Sequence, residues 1–298
     1  MSKFRKAVIP AAGLGTRHFP ASHAVKKELF PVVGPDGIAR ALMHYHILDL
    51  LSTGFEEICL IVQPGDEAVF GAYFAGPDDT YLQRLAKYPA LQEQALAMRE
   101  AVGRITYAVQ HTQEGYGHAV FQSKAFAAGE PVLLCLGDHL FRGGQLSCPA
   151  QLIAAASARP GLSLSAVNKI GPQELKGFGT IAGKRLAGRP EVIDISLIIE
   201  KPAVDVAREK LRVDGLAEDE FLGWFGMHLL APSIYDVLEE MIHDDVRDGG
   251  EFQLTRAQEI QRSREGYAAL EITDGRRYDF GIPADFLASL NEFSRPGI

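Results

Sequence analysis

Short apolar runs alternate along the chain with longer stretches whose apolar positions recur at helical spacing. "KAVIPAAG" reads as a buried strand, and "DGIARALMHYHILDLLSTG" as a helix with Asp36 near its start and Gly54 just past its end. "EEICLIVQ" follows as a second buried strand, so the first sixty residues or so form a βαβ unit. The alternation continues through "RITYAVQ", the helix-like "GHAVFQSKAFAAG" and "PVLLCLGD". Continuous apolar strands separated by helices predict an α/β fold, a Rossmann-like, mostly parallel mixed sheet with helices on both faces.

Between the second and third strands, "GPDDTYLQRLAKYPALQEQALAMREAVG" is a charged excursion with helical spacing in its second half. Later strands are expected at "LSLSAVNKI", "EVIDISLIIEKP" and "FLGWFGMHLLA", with helices at "SIYDVLEEMIHDD", "EFQLTRAQEIQRS" and "PADFLASLNEFS". No Pro/Gly/Ser linker divides the chain. One domain over residues 1–298 in two lobes, approximately 1–140 and 141–298, is the expected organisation.

Composition narrows the partners. A formal net charge of -8 argues against a broad nucleic-acid surface, which needs clustered excess Lys and Arg, so any cationic site must be local. The N-terminal apolar run, broken by Pro10 and Gly13, is too short for a membrane helix or signal peptide, and a cytoplasmic location with no membrane partner is expected. Cys59, Cys135 and Cys148 lack metal-type spacing and read as buried free thiols. His44 and His46 lie on different parts of a predicted helix, which favours packing or solvent contact over metal binding.

A local cationic site is present in "AAGLGTRHFPASHAVKKELFPV". Gly13 and Gly15 follow a strand, and glycine allows the close backbone approach by which consecutive N–H groups surround phosphate oxygens. Arg17 and Lys27 add charge. The dinucleotide fingerprint fails because its third glycine falls at His18, and no GK[ST] closes a Walker loop. Two glycines alone fit an ordinary strand-to-helix turn equally well; the two cations shift the balance.

Taken whole, the string resembles the signature of the sugar-nucleotide pyrophosphorylases, most closely the bacterial UTP:glucose-1-phosphate uridylyltransferases, on Gly13, Leu14, Gly15, Thr16, Arg17, Lys27, Glu28 and Pro31. The resemblance implies a nucleotidyltransferase-type fold, with a nucleotide-binding first lobe and a second lobe for the sugar phosphate. Ala12, Gly13, Leu14, Gly15, Thr16, Arg17 and Lys27 would bind the nucleotide. "QHTQEGYGHAV" is similar to the family's uracil-reading segment, where Gln110 would bond the base edge and Gly115 and Gly117 would admit the nucleoside. Asp138, at the end of "LLCLGDHL", and Asp279 in "RRYDFG" resemble the Mg²⁺ ligands. "GFGT" and "IIEKP" supply Gly179, Glu200 and Lys201 for the sugar phosphate, and "GGEFQLTRAQ" is similar to a family segment that opens a helix.

The implied activity joins UTP and glucose 1-phosphate into UDP-glucose and pyrophosphate with Mg²⁺, with Arg17, Lys27, Asp138 and Lys201 as the catalytic groups. The attacking phosphate is already ionised, so the absence of a Ser/His/Asp or Cys/His arrangement fits. Homo-oligomers are implied by the resemblance alone. The chain departs from the family pattern at His23 (usually lysine), Lys26 (proline), "GPDG" (a DKP-like turn), His139 (a second aspartate) and Arg256 (aspartate). The alternatives are the same chemistry on another nucleotide or sugar phosphate, a non-catalytic sugar-nucleotide sensor, and a nicotinamide oxidoreductase, the last disfavoured by the missing glycine.

Overall fold

Ala7, Val8 and Ile9 are completely buried, which a strand achieves only when both faces of its sheet are covered. The computed structural model describes residues 4–296. Its strands are β1 (Lys6–Pro10), β2 (Pro31–Val33), β3 (Ala39–Ala41), β4 (Glu57–Val62), β5 (Ile105–Val109), β6 (Val132–Cys135), β7 (His139–Gly143), β8 (Leu164–Ile170), β9 (Gly179–Leu186), β10 (Arg189–Glu200), β11 (Phe221–Leu230), β12 (Ala268–Glu271) and β13 (Gly275–Asp279).

Nine of these form one sheet in the order β5-β4-β1-β6-β11-β8-β12-β10-β9. The strands β5, β4, β1 and β6 are mutually parallel, because helical crossovers such as Leu42–Thr53 return the chain to the same end of the sheet. Antiparallel pairing begins at β11, whose ten residues are all buried between β6 and β8, and the far edge is the long hairpin β9–β10. In its two-residue turn Gly188 adopts φ 79°, the conformation that such a turn requires. Two apolar clusters flank the sheet. One contains Ile9, Met43, Leu60 and Leu152; the other contains Val8, Ile61, Leu238 and Ala257, so helices do lie on both faces.

Three element readings change. Asp36 does not start the helix: its Oδ1 accepts a bond from Ile38 N (3.1 Å) in a turn, and its carboxylate pairs with Arg40 (2.7 Å). Residues 39–41 instead extend as β3 against β2, and the helix begins at Leu42. The segment "GHAVFQSKAFAAG" divides into helices Tyr116–Phe121 and Lys124–Ala127, with Ser123 Oγ donating back to Val120 O (2.7 Å) at the break. The charged excursion is helical in both halves, Asp79–Leu85 and Pro89–Ala101, the first capped by Asp78 on Tyr81 N (2.7 Å) and the second opening on its proline.

Gly54 takes the left-handed conformation (φ 98°) that closes the first long helix, as expected. The three cysteines are free and buried. His44 packs against Tyr73 and Phe74, and His46 against Phe141. Among the described residues, no helix is long and apolar enough to cross a membrane.

Candidate active site

The loop after β1 and the loop after β6 meet because these two strands are neighbours, and both open at the carboxyl end of the parallel half, where ligands collect in α/β sheets. In the first loop Gly15 has φ 65° and precedes a single helical turn, Thr16–His18. Ser22 Oγ donates to Gly15 O (2.8 Å) and Gln63 Nε2 to Gly13 O (3.1 Å), so the loop is braced at both glycines. Ala12 is buried, while Gly13, Leu14, Thr16 and Arg17 are exposed. His18 turns inward and bonds Phe280 O (2.9 Å), tying the loop to the segment that carries Asp279.

Charge converges one turn further on. Lys27 Nζ lies 2.6 Å from Asp138 Oδ2 and 3.7 Å from the buried Glu28 carboxylate. β7 starts immediately after Asp138 and pairs with β13 so that His139 stands opposite Asp279. The imidazole bridges the two aspartates, Nδ1 at 2.9 Å from Asp138 Oδ1 and Nε2 at 3.3 Å from Asp279 Oδ2. Gly281 completes the group: its amide donates to Asp279 Oδ1 (2.7 Å), and a Cβ there would stand 2.7 Å from Asp138 Oδ2 and 3.1 Å from Asp279 Oδ1. Only glycine leaves room for both carboxylates.

These groups set one another's ionisation. Burial alone pushes both aspartates up, but His139 holds both down, with Lys27 adding to the effect at Asp138 and the Gly281 amide at Asp279; both end below the usual carboxylate range. Burial pulls His139 down, yet the two carboxylates outweigh it and raise the imidazole. Lys27 is likewise raised, as attraction to Asp138 and Glu28 exceeds the cost of desolvation and the repulsion of Arg17. Glu28, completely enclosed, is pushed up to about 7 by burial.

Gln110 and the glycines after it form a second group. Gln110 is buried and its Nε2 donates to Gly115 O (3.3 Å) and contacts His118 Nδ1 (3.1 Å). Gly115 has φ 109°, and Gly117 N donates to Phe252 O (2.7 Å) at a distance that a side chain on Gly117 would block. A third group lies at the ends of β9 and β10, where Gly179 pairs with Glu200. Glu200 Oε2 accepts from Thr255 Oγ1 (2.7 Å), and Oε1 lies 3.5 Å from the exposed Lys201 Nζ. Lys201 has φ 45°, a strained position for a lysine, held by its N–H on Phe178 O (3.2 Å).

The groups are joined. Phe252 and Thr255 lead into the helix Leu254–Glu265, linking the second to the third. Arg277, two residues before Asp279, donates to Trp224 O (2.8 Å) and lies over the Phe178 ring, linking the first to the third. A cleft of about 800 Å³ opens beside the glycine loop and is lined by Leu14, Thr16, Phe19, Ser22, His23 and Lys26 among others. Lys27, Asp138 and Asp279 are not among its lining residues.

Sequence reasoning did not place His139, Gly281 or Thr255 against the predicted site residues. The "DFG" string contains Gly281, but its spacing to Asp138 exists only once β13 pairs with β7. Of the departures, His23 and Arg256 are exposed, and Lys26 pairs with Asp66 (2.7 Å). Nothing in the structure explains Arg256.

A nucleotidyl transferase family model matches residues 6–239. Among curated proteins, the UTP–glucose-1-phosphate uridylyltransferase of Bacillus subtilis is 29% identical over 297 residues, covering 99% of this chain and 92% of that one. The corresponding enzyme 1 of Staphylococcus saprophyticus is 26% identical, covering 98% and 93%. Among solved structures, a UDP-glucose pyrophosphorylase complexed with UDP-glucose superposes with a TM-score of 0.79 at 23% identity over 98% of both chains, a likeness of fold. With the family model spanning the glycine loop, both loops at the carboxyl end of the sheet and the Glu200–Lys201 pair, the chain belongs to the nucleotidyl transferase family.

Proposed function

We propose that this enzyme forms UDP-glucose and pyrophosphate from UTP and glucose 1-phosphate. The observation that carries the reading is the meeting of Lys27 with Asp138, and through His139 with Asp279, in one cluster assembled from distant parts of the chain. A general nucleotide-binding protein needs cations and loop amides; it does not need two carboxylates brought together beside them.

A sugar-phosphate oxygen attacks the α-phosphorus of UTP, and the bond to the bridging oxygen breaks with its electron pair leaving on pyrophosphate. No proton has to move, so the residues act by alignment and charge compensation. Arg17 and the amides of Ala12 to Thr16 take the leaving phosphates, and Lys27 faces the α-phosphate. Gln110 reads the base from a side chain already braced by Gly115 and His118, with Gly115 and Gly117 admitting the nucleoside. Gly179 and Glu200 hold the sugar, and Lys201 holds its phosphate.

Asp138 and Asp279 fit a hard divalent ion: two carboxylates converge beside Gly281 as oxygen donors. That matches Mg²⁺, which keeps several waters and shares carboxylates with substrate phosphates. When bound there, the ion neutralises phosphate charge. Lys27 lies 2.6 Å from Asp138, and an ion held by Asp138 would leave that ammonium to the nucleotide phosphates.

The chain works as one domain in two lobes, about 1–140 for the nucleotide and 141–298 for the sugar phosphate. The continuity of the nine-stranded sheet across that division supports this reading. Self-association rests on the family resemblance. The test is pyrophosphate release across a panel of nucleoside triphosphates and sugar 1-phosphates with Mg²⁺. UTP with glucose 1-phosphate is expected to exceed every other pair; preference for another pair would reassign the substrates, and tight product binding with no turnover would make the chain a sensor.

A further inference from the structure

The chain has a single tryptophan, and its indole N–H is buried without a hydrogen-bond partner. Trp224 is 7% exposed on β11, its ring fixed edge-on against His228 with centroids 5.4 Å apart and beside Tyr267. Arg277 holds its carbonyl. The ring is packed on both sides, and burying an unpaired donor is unfavourable, so this N–H calls for an explanation.

The N–H borders the strand ends that carry Gly179 and Glu200. A Cβ on Gly179 would overlap Trp224 Nε1 and stand 2.9 Å from Glu200 Oε2, so the indole nitrogen and this carboxylate oxygen flank the same point. Glycine at 179 is what allows the indole against the strand end. The Glu200 carboxylate is lightly held: Oε2 accepts from Thr255 Oγ1, and Oε1 has a long contact to Lys201. A carboxylate oxygen accepts two bonds, so Oε2 has capacity for a second donor.

We infer that Trp224 is a positioning residue for Glu200, donating its indole N–H to the Glu200 carboxylate when the sugar is loaded and so setting how tightly the acceptor sugar is held. The inference rests on the assignment of Glu200 to the sugar. It assigns Trp224 no contact with the nucleotide, so its effect falls on one substrate only.

The single tryptophan makes the test direct. In the ligand-free chain, Glu200→Gln is expected to shift Trp224 emission, because the carboxylate and the indole nitrogen flank the same point; no shift would place Glu200 out of reach of the indole and overturn the proposal. In the wild type, saturating UDP-glucose should change the emission more than saturating UDP does, and equal responses would overturn the loaded-state bond. Trp224→Phe should raise KM for glucose 1-phosphate about tenfold while KM for UTP stays within about twofold, the ordinary size of one hydrogen bond to a charged group. In a Glu200→Gln background the same change should add less than about twofold. Additive losses, or parallel rises in both KM values, would mark a merely structural role. Absence of UDP-glucose binding to the wild type by calorimetry would instead sink the substrate assignment, and the ligand-free emission would still show whether Glu200 lies within reach of the indole.

Discussion

Lys27 Nζ stands 2.6 Å from Asp138 Oδ2 across a sequence separation of 111 residues. This contact joins the glycine loop to the first carboxylate, and it exists because β1 and β6 lie side by side in the sheet. Lys27→Ala and Asp138→Asn are each expected to lower turnover by two orders of magnitude or more, the usual cost of removing a group that compensates charge in the transition state. Steady-state rates alongside far-ultraviolet dichroism check this; wild-type-like turnover in either folded variant would remove the residue from the mechanism.

The crowding of Asp138 and Asp279 around Gly281 predicts that Gly281→Ala weakens metal binding. A methyl group 2.7 Å from Asp138 Oδ2 must push that carboxylate away. Affinity for Mn²⁺, followed by electron paramagnetic resonance, is expected to fall about tenfold or more, in line with the sensitivity of metal sites to their immediate supports. Unchanged affinity would show that the ion binds elsewhere.

His139 lies between the two aspartates, which raise its imidazole, so replacing it with aspartate places three carboxylates together. His139→Asp is expected to lower the melting temperature in chelator and to gain more from added Mg²⁺ than the wild type gains. Thermal melts with and without the ion decide it; an equal Mg²⁺ response in both proteins would contradict the arrangement.

Glu28 gives a pH signature. Its carboxyl is raised by burial from an ordinary 4.5 to about 7, so between those values the folded chain holds a proton that the unfolded chain has released. Its contribution to stability is therefore full below pH 4.5, declines as pH rises toward 7, and is lost above it. Glu28→Gln cannot lose a proton there. Between pH 5 and 8, urea titrations should show the wild type losing stability relative to Glu28→Gln by on the order of 3 kcal/mol. A constant difference across that range would mean that Glu28 stays ionised.

Much of this protein was legible from local pattern. The buried strands at Lys6–Pro10, Glu57–Val62 and Val132–Cys135 follow from uninterrupted apolar runs, and Gly54 ends its helix where its backbone freedom is needed. Misreadings came where a tertiary partner overrode local preference: β3 formed against β2 in a stretch with helical spacing, and Ser123 broke a helix by bonding Val120 O and Tyr235 OH.

By itself, then, the sequence determined the alternation of elements, the cations of the first loop and the residue types available at each motif, because these depend on neighbours within a few positions. Only the tertiary structure decided that His139 bridges Asp138 and Asp279, that Gly281 leaves space for both, and that Trp224 lies against Gly179 beside Glu200. Those relationships depend on which strands pair and in what register, and a shift of one residue along β7 or β9 would point the same side chains to the opposite face.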